Sequence, residues 1–239
     1  MLPAGHPDAL DLLSEGEIRP LGLMPRASNY TFLAEVGDGD RTVLAVYKPR
    51  EGETPLWDFP EGTLCNREVA AYELSRALGW PDIPPTVLRD GPMGPGSVQL
   101  FVQADPRQHF FTLREVCLDA FMPVASFDVM TNNADRKSGH CLRAEDGTIW
   151  VVDHGVCFGT ELKLRTVIWE FAGQPVPKRQ LQDMKRVAAE LRSGPLRDSL
   201  AGLLSDREID ATARRAEALA RTGTFPRPGN RRAYPWPPV

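Results

Sequence analysis

The chain has 239 residues, enough for one large domain or for two small lobes around a cleft. Hydrophobic residues make up 42% and charged residues 25%, the balance of an ordinary soluble globular protein, and no run approaches the roughly 18 apolar residues of a membrane span. The formal net charge of -4 argues against a protein that lives on nucleic-acid phosphates.

Residues 7–18 predict a short helix with Leu10, Leu12 and Leu13 inward. Two β-rich runs at 29–36 and 41–48 flank a Gly/Asp turn at 37–40 and predict a hairpin. Residues 49–63 are polar and turn-rich, a loop in which Trp57 and Phe59 are expected to bury against the first lobe. A helix pattern at 66–78 has Val69, Tyr72, Leu74, Ala77 and Leu78 as its apolar positions, and Gly79 is a natural stop. Residues 83–89 and 96–103 predict two more strands joined by a turn. Helical patterns follow at 113–120 and 123–131, then a short hairpin at 140–143 and 148–152 around Glu145, Asp146 and Gly147. Ser205 with Glu208 three residues on is a capping box that opens a helix running to about Arg221.

The tail 224–239 is rich in proline and cannot be a helix or a central strand. It either packs on the body or offers polyproline II to a protein partner. Cys65, Cys117, Cys141 and Cys157 lie far apart with no C-x-x-C pair, so neither a zinc knuckle nor a disulfide framework is expected. The N-terminus carries acids and lacks an apolar h-region, so a reducing cytoplasm is the expected location. The predicted architecture is α+β, with a β-rich first lobe over 1–103, a helix-rich second lobe over 104–223 and the tail.

Four polar signatures stand out by their order. Lys48 ends a strand, Glu68 lies in the next helix, Asp135 sits in a dense polar run (132–140) after an apolar stretch, and Asp153 follows an apolar strand two residues before Gly155. Phosphoryl transfer from ATP needs a lysine on the phosphates and a carboxylate to hold it. It also needs an aspartate to orient the acceptor hydroxyl and a metal-binding aspartate after a strand. Strand lysine, helix glutamate, loop aspartate and Asp-x-Gly is the protein-kinase order. The glycine-rich loop G-x-G-x-x-G is absent, and the segment from Ser28 and Asn29 to Thr31 stands ahead of the first hairpin instead.

These segments resemble the phosphatidylinositol 3-/4-kinase superfamily, most closely its type II phosphatidylinositol 4-kinase branch. They also resemble small bacterial lipid-kinase-like proteins. The resemblance runs from Ser28 to about Trp169. It rests on VLAVYKP (43–49), REVAAYEL (67–74), GSVQLFVQ (96–103), NNADRKSGH (132–140) and VVDHGVCF (151–158). It implies a two-lobed kinase-like fold with ATP in the cleft. Lys48 would pair with the phosphates, with Glu68 as its partner. Ser28 and Asn29 would lie near phosphate, and the backbone of Leu100, Phe101 and Val102 would meet adenine. Asp135 would be the catalytic aspartate, and Asp153 would hold Mg²⁺ or Mn²⁺.

Two departures qualify the match. His140 stands where relatives place a metal-binding asparagine; imidazole suits Mn²⁺ better than Mg²⁺. No cysteine cluster corresponds to the lipidated insertion of the eukaryotic enzymes, so a small-molecule or protein acceptor is favoured over a lipid. Lys163 and Arg165 are candidates to meet an acidic acceptor, and Arg136 and Lys137 to screen transferred phosphate, while Trp169 and Phe171 are expected to anchor the loop that carries them. The leading expectation is an ATP-dependent phosphotransferase. The alternatives are a nucleotide-binding pseudokinase that regulates a partner, and a kinase-fold enzyme that transfers AMP.

Overall fold

The computed structural model describes residues 8–25, 29–229 and 232–239. Strand alternation builds its first half. β1 (Glu17–Leu23), β2 (Phe32–Gly37), β3 (Thr42–Pro49), β4 (Thr86–Gly91) and β5 (Gly94–Leu100) form one antiparallel sheet in the order β1-β2-β3-β5-β4. Along β3, Val43, Ala45, Tyr47 and Pro49 are buried while Thr42, Leu44, Val46 and Lys48 stand on the other face, half-buried. The buried set packs with Ala34, Val36, Val98 and Leu100 against Leu12 and Leu13 of helix α1 (Ala9–Glu15). Period-two alternation therefore puts Lys48 on the face away from this small core.

Helix α1 ends earlier than the expected 7–18, because Gly16 turns extended and β1 begins at Glu17. Between β1 and β2, Met24 N–H donates to Thr31 O (2.8 Å). Asn29–Thr31 thus lie in a strand-to-strand connection within a meander; Ser28 lies outside the described residues. The turn between β4 and β5 contracts to Pro92 and Met93, with Gly94 at φ 83°.

Helix α2 (Leu64–Leu78) starts two residues before the expected position because a distant carboxylate caps it. Glu53 accepts from Leu64 N–H (3.0 Å) and Cys65 N–H (2.8 Å). Gly79 ends it in the left-handed region at φ 79°.

The second half is mostly helical. It holds α3 (Phe110–Cys117), α4 (Met122–Thr131), the β6–β7 hairpin (Cys141–Arg143, Ile149–Val151), α5 (Lys178–Arg192), α6 (Pro195–Ala201) and α7 (Asp206–Thr222). Its core is a second hydrophobic cluster that includes Phe110, Phe121, Phe127, Met130, Phe171 and Met184, and it takes in the buried side of α2 as well. The capping box of α7 forms: Glu208 accepts from Ser205 N–H (2.9 Å) and Oγ (2.7 Å). The same carboxylate takes the buried Arg67 guanidinium of α2 at 2.5 Å, which ties α2 to α7.

The tail packs on the body. Phe225 and Pro235 are buried, Ala233 O accepts from Thr166 N–H (3.1 Å), and Pro238 O accepts from Ser138 N–H (2.9 Å). Phe59 buries beside the Arg67 guanidinium, but Trp57 stands 89% exposed, contrary to the expected burial. Among the described residues no helix is long and apolar enough to cross a membrane.

Candidate active site

Glu68 sits on the buried face of α2, four residues past its start, where its carboxylate reaches two partners from different parts of the chain. One oxygen ion-pairs with Lys48 Nζ on β3, and the other accepts from His154 N–H (2.8 Å) beyond β7. Lys48 Nζ also lies 3.2 Å from Asp153 Oδ1. Burial pulls the lysine pKa down, but the charges of Asp153 and Glu68 outweigh it and hold the ammonium above its usual value. The Lys48 charge in turn holds the Asp153 carboxyl far below the usual carboxylate range, against burial. The sheet, α2 and the β7 exit thus converge on one charged ammonium.

Asp153 is in the left-handed region at φ 63°, a conformation that costs a non-glycine residue on the order of 1 kcal/mol or more and clusters at functional sites. Its side chain is half exposed, so the turn presents a carboxylate to solvent.

His140 faces the second Asp153 oxygen, Nε2 to Oδ2 3.2 Å. Burial pushes its imidazole down to about 4, against the pull of Asp153, so the ring is neutral near pH 7. Its Nδ1 accepts from Lys137 N–H (3.3 Å), which leaves the single ring proton on Nε2, aimed at Asp153.

Asp135 lies on the loop after α4. Asn133 Oδ1 accepts its backbone N–H (2.9 Å), and Lys137 Nζ lies 2.8 Å from its Oδ2. Burial raises its pKa, opposed by Lys137. Asn132, at φ 55°, ends α4 and pins the segment after Asp153: its amide nitrogen donates to Gly159 O (3.0 Å) and Glu161 O (2.6 Å), and its oxygen accepts from Lys163 N–H (2.9 Å).

Arg136 is not available to transferred phosphate. It is fully buried, with Nε 3.1 Å from Asp128 Oδ1, Nη1 donating to Val152 O (2.8 Å) and Nη2 2.8 Å from His154 Nε2. Lys163 ion-pairs with Asp58 and sits over the Trp57 ring. Trp169 Nε1 donates to Ala233 O (3.1 Å) and Phe171 is buried, so both anchor their segment.

At the far end of β5, Leu100 N–H donates to Pro85 O (2.8 Å) and Phe101 N–H to Leu44 O (2.9 Å). Among the described residues no hydrogen bond engages the backbone of Val102, although its side chain is buried. Asn29 is tied to the 50–54 segment, its Oδ1 accepting from Thr54 N–H (2.8 Å). Among the described residues no group of three or more His, Cys, Asp or Glu side chains is placed to hold a metal.

Sequence reasoning missed Asp128, which holds Arg136, Asn133, which accepts from the Asp135 N–H, and Glu53, which caps the glutamate helix. Asp128 left a signal: a carboxylate inside an apolar helical run must find a buried partner.

No known family model matches the chain. A Mycobacterium tuberculosis protein, Rv2133c, is 41% identical over an aligned length of 261 residues that covers 95% of this chain and 94% of the relative. The chain belongs to the family of Rv2133c. That name carries no activity with it. A Helicobacter pylori proinflammatory kinase, CtkA, superposes with a TM-score of 0.48 at 15% identity, over 87% of this chain and 98% of that one, a likeness too slight to carry weight. Neither similarity reaches the phosphatidylinositol 3-/4-kinase superfamily that the motifs resemble.

Proposed function

We propose that the protein is an ATP-dependent phosphotransferase of kinase-like fold, with ATP between the sheet and the helical half. The observation that carries this reading is the Lys48 ammonium held between the Glu68 and Asp153 carboxylates. Three separate elements converge there, and one of them is a strained turn. A structural ion pair needs one partner; a second, half-exposed carboxylate on the same lysine is an arrangement a phosphate chain and its cation can enter.

Lys48 would engage the phosphates, with Glu68 fixing its reach. The unpartnered backbone of Val102 supports adenine binding there. Asp135, beside Lys137, would orient the acceptor hydroxyl and accept its proton. A divalent ion would neutralise charge on the phosphates. Asp153 fits it as a ligand, with phosphate oxygens and water completing the shell, the pattern of Mg²⁺. His140 fits a different role, because its Nε2 proton points at Asp153: it would position that carboxylate rather than ligate the ion.

The test follows both ends of ATP. Incubation of the chain with γ-labelled and α-labelled ATP in Mg²⁺ or Mn²⁺ should release or transfer the γ-label alone. Lys48→Ala and Asp153→Asn should abolish the release. Transfer of the α-label would mean AMP transfer, and ATP left intact in both metals would contradict the proposal.

A further inference from the structure

A large cavity lies away from Lys48. It measures about 860 Å³ and lies on the helical side, between α7, the segment 159–165, the tail and the loop that carries Trp57. That is within the range of pockets that enclose a small organic molecule. Its walls are mainly apolar, with Trp169, Leu219 and Phe225 inside and the 89% exposed Trp57 and 76% exposed Leu162 at the wall.

Its charge runs against that of the chain. In a protein of net charge -4, this cavity is lined by Lys163 and by Arg165, Arg215, Arg227 and Arg232, against only Asp58 and Glu161. Asp58 is committed to Lys163. Among the described residues none of the four arginines forms an ion pair with a carboxylate. Arg215 spends its donors on neutral oxygens: Met130 O (2.7 Å), Gly159 O (3.1 Å) and Thr212 Oγ1 (3.0 Å). Burial pulls its pKa down to about 10, against the weaker opposing pull of Cys157 and Glu208. Arg165 Nε is buried with no hydrogen-bond partner. A buried cation or donor left unmatched is costly, and an anion would relieve it.

We infer that this cavity is a binding site for a small amphipathic organic anion, with its carboxylate, sulfonate or phosphate group on the arginines and its apolar body against Trp169, Leu219 and Phe225. The arginine fork suits such a group, and the apolar wall supplies the area. The site touches the catalytic loop through Asn132 and Ala134, but its binding does not depend on nucleotide.

The experiment is a fluorescence titration without nucleotide, comparing two probes of similar shape. One is 8-anilinonaphthalene-1-sulfonate, an anion; the other is N-phenyl-1-naphthylamine, which lacks the sulfonate. The sulfonate should bind one per chain, at least tenfold more tightly than the neutral probe. Ala218→Trp, which fills the cavity, should abolish binding. The double variant Arg165→Gln with Arg232→Gln should bind both probes equally, with its melting temperature kept as the control for folding. Equal affinity of the two probes on the wild type, no binding of the sulfonate, binding unchanged by Ala218→Trp, or a preference that survives the arginine replacements would each overturn the site. ATP turnover, measured separately, reports on the phosphotransferase reading alone.

Discussion

Two charged clusters share the turn at Val152, Asp153 and His154. In the first, Arg136 and Asp128 have no exposed side-chain surface, and their remaining hydrogen-bonding groups go to Asn133, Thr166, Val152 and His154. In the second, Lys48 is 22% and Asp153 50% exposed, and two carboxylates compete for one ammonium. The first cluster is closed within the chain and holds the loop after α4 on the β7 exit. The second is partly open to solvent. Chemistry of the same kind, a few residues apart, is thus closed off in one place and open to solvent in the other, and the open one is the proposed ligand site.

The largest way to test that contrast is to break the closed cluster. Asp128→Ala leaves a buried guanidinium without its partner and should cost about 3–5 kcal/mol, read as a fall in the unfolding midpoint on the order of 10 °C. Gly96→Ala should come next. A Cβ there would sit 2.4 Å from the Lys48 carbonyl, so β5 must shift away from the lysine strand. Denaturant titration should show a loss of about 1–3 kcal/mol, together with weaker nucleotide binding.

A third prediction uses pH. Burial raises the Glu208 carboxyl, but Arg67 and the Ser205 donors outweigh it and lower its pKa. A carboxyl lowered in the folded state contributes stability that is complete above its unfolded pKa and is lost as pH falls through the lowered value. Wild-type stability should therefore drop more steeply than that of Glu208→Gln between roughly pH 5 and 3. The smallest effect falls on the open cluster: Asp153→Asn should change the stability of the ligand-free chain by less than about 1 kcal/mol, because the carboxylate is half solvated. The buried thiols give a separate check of the fold. Burial pushes Cys141 up to about 12 and Cys65 up to about 11, so in the native protein Cys117, the cysteine that is not buried, should react first with iodoacetamide.

The sequence was most legible where the signal was local. The alternation of β3, the Gly79 stop and the Ser205–Glu208 box are read within a few residues, and the structure forms each of them. Lys48, Glu68 and Asp153 were legible by order, and folding brings them together. β1 was not legible: only Ile18 is buried along it, and Pro20 and Gly22 interrupt an edge strand. The early start of α2 was hidden because its cap comes from Glu53, outside the capping-box spacing. The Arg67–Glu208 pair and the cavity arginines depend on chain segments far apart in sequence, which no local pattern reports. Trp57 was misplaced because an aromatic in a loop was expected to find the nearest core, whereas it lies open beside Lys163.

The open cluster is the proposed nucleotide site. Thermal unfolding with and without ATP, in Mg²⁺, Mn²⁺ and EDTA, for the wild type and Asp153→Asn, tests it most directly. At about 100 times the dissociation constant, ATP should add roughly 2.7 kcal/mol, a rise of several degrees. The rise should appear in the wild type with metal and be lost in EDTA and in the variant. A rise of equal size in Asp153→Asn, or none in the wild type with either metal, would contradict it.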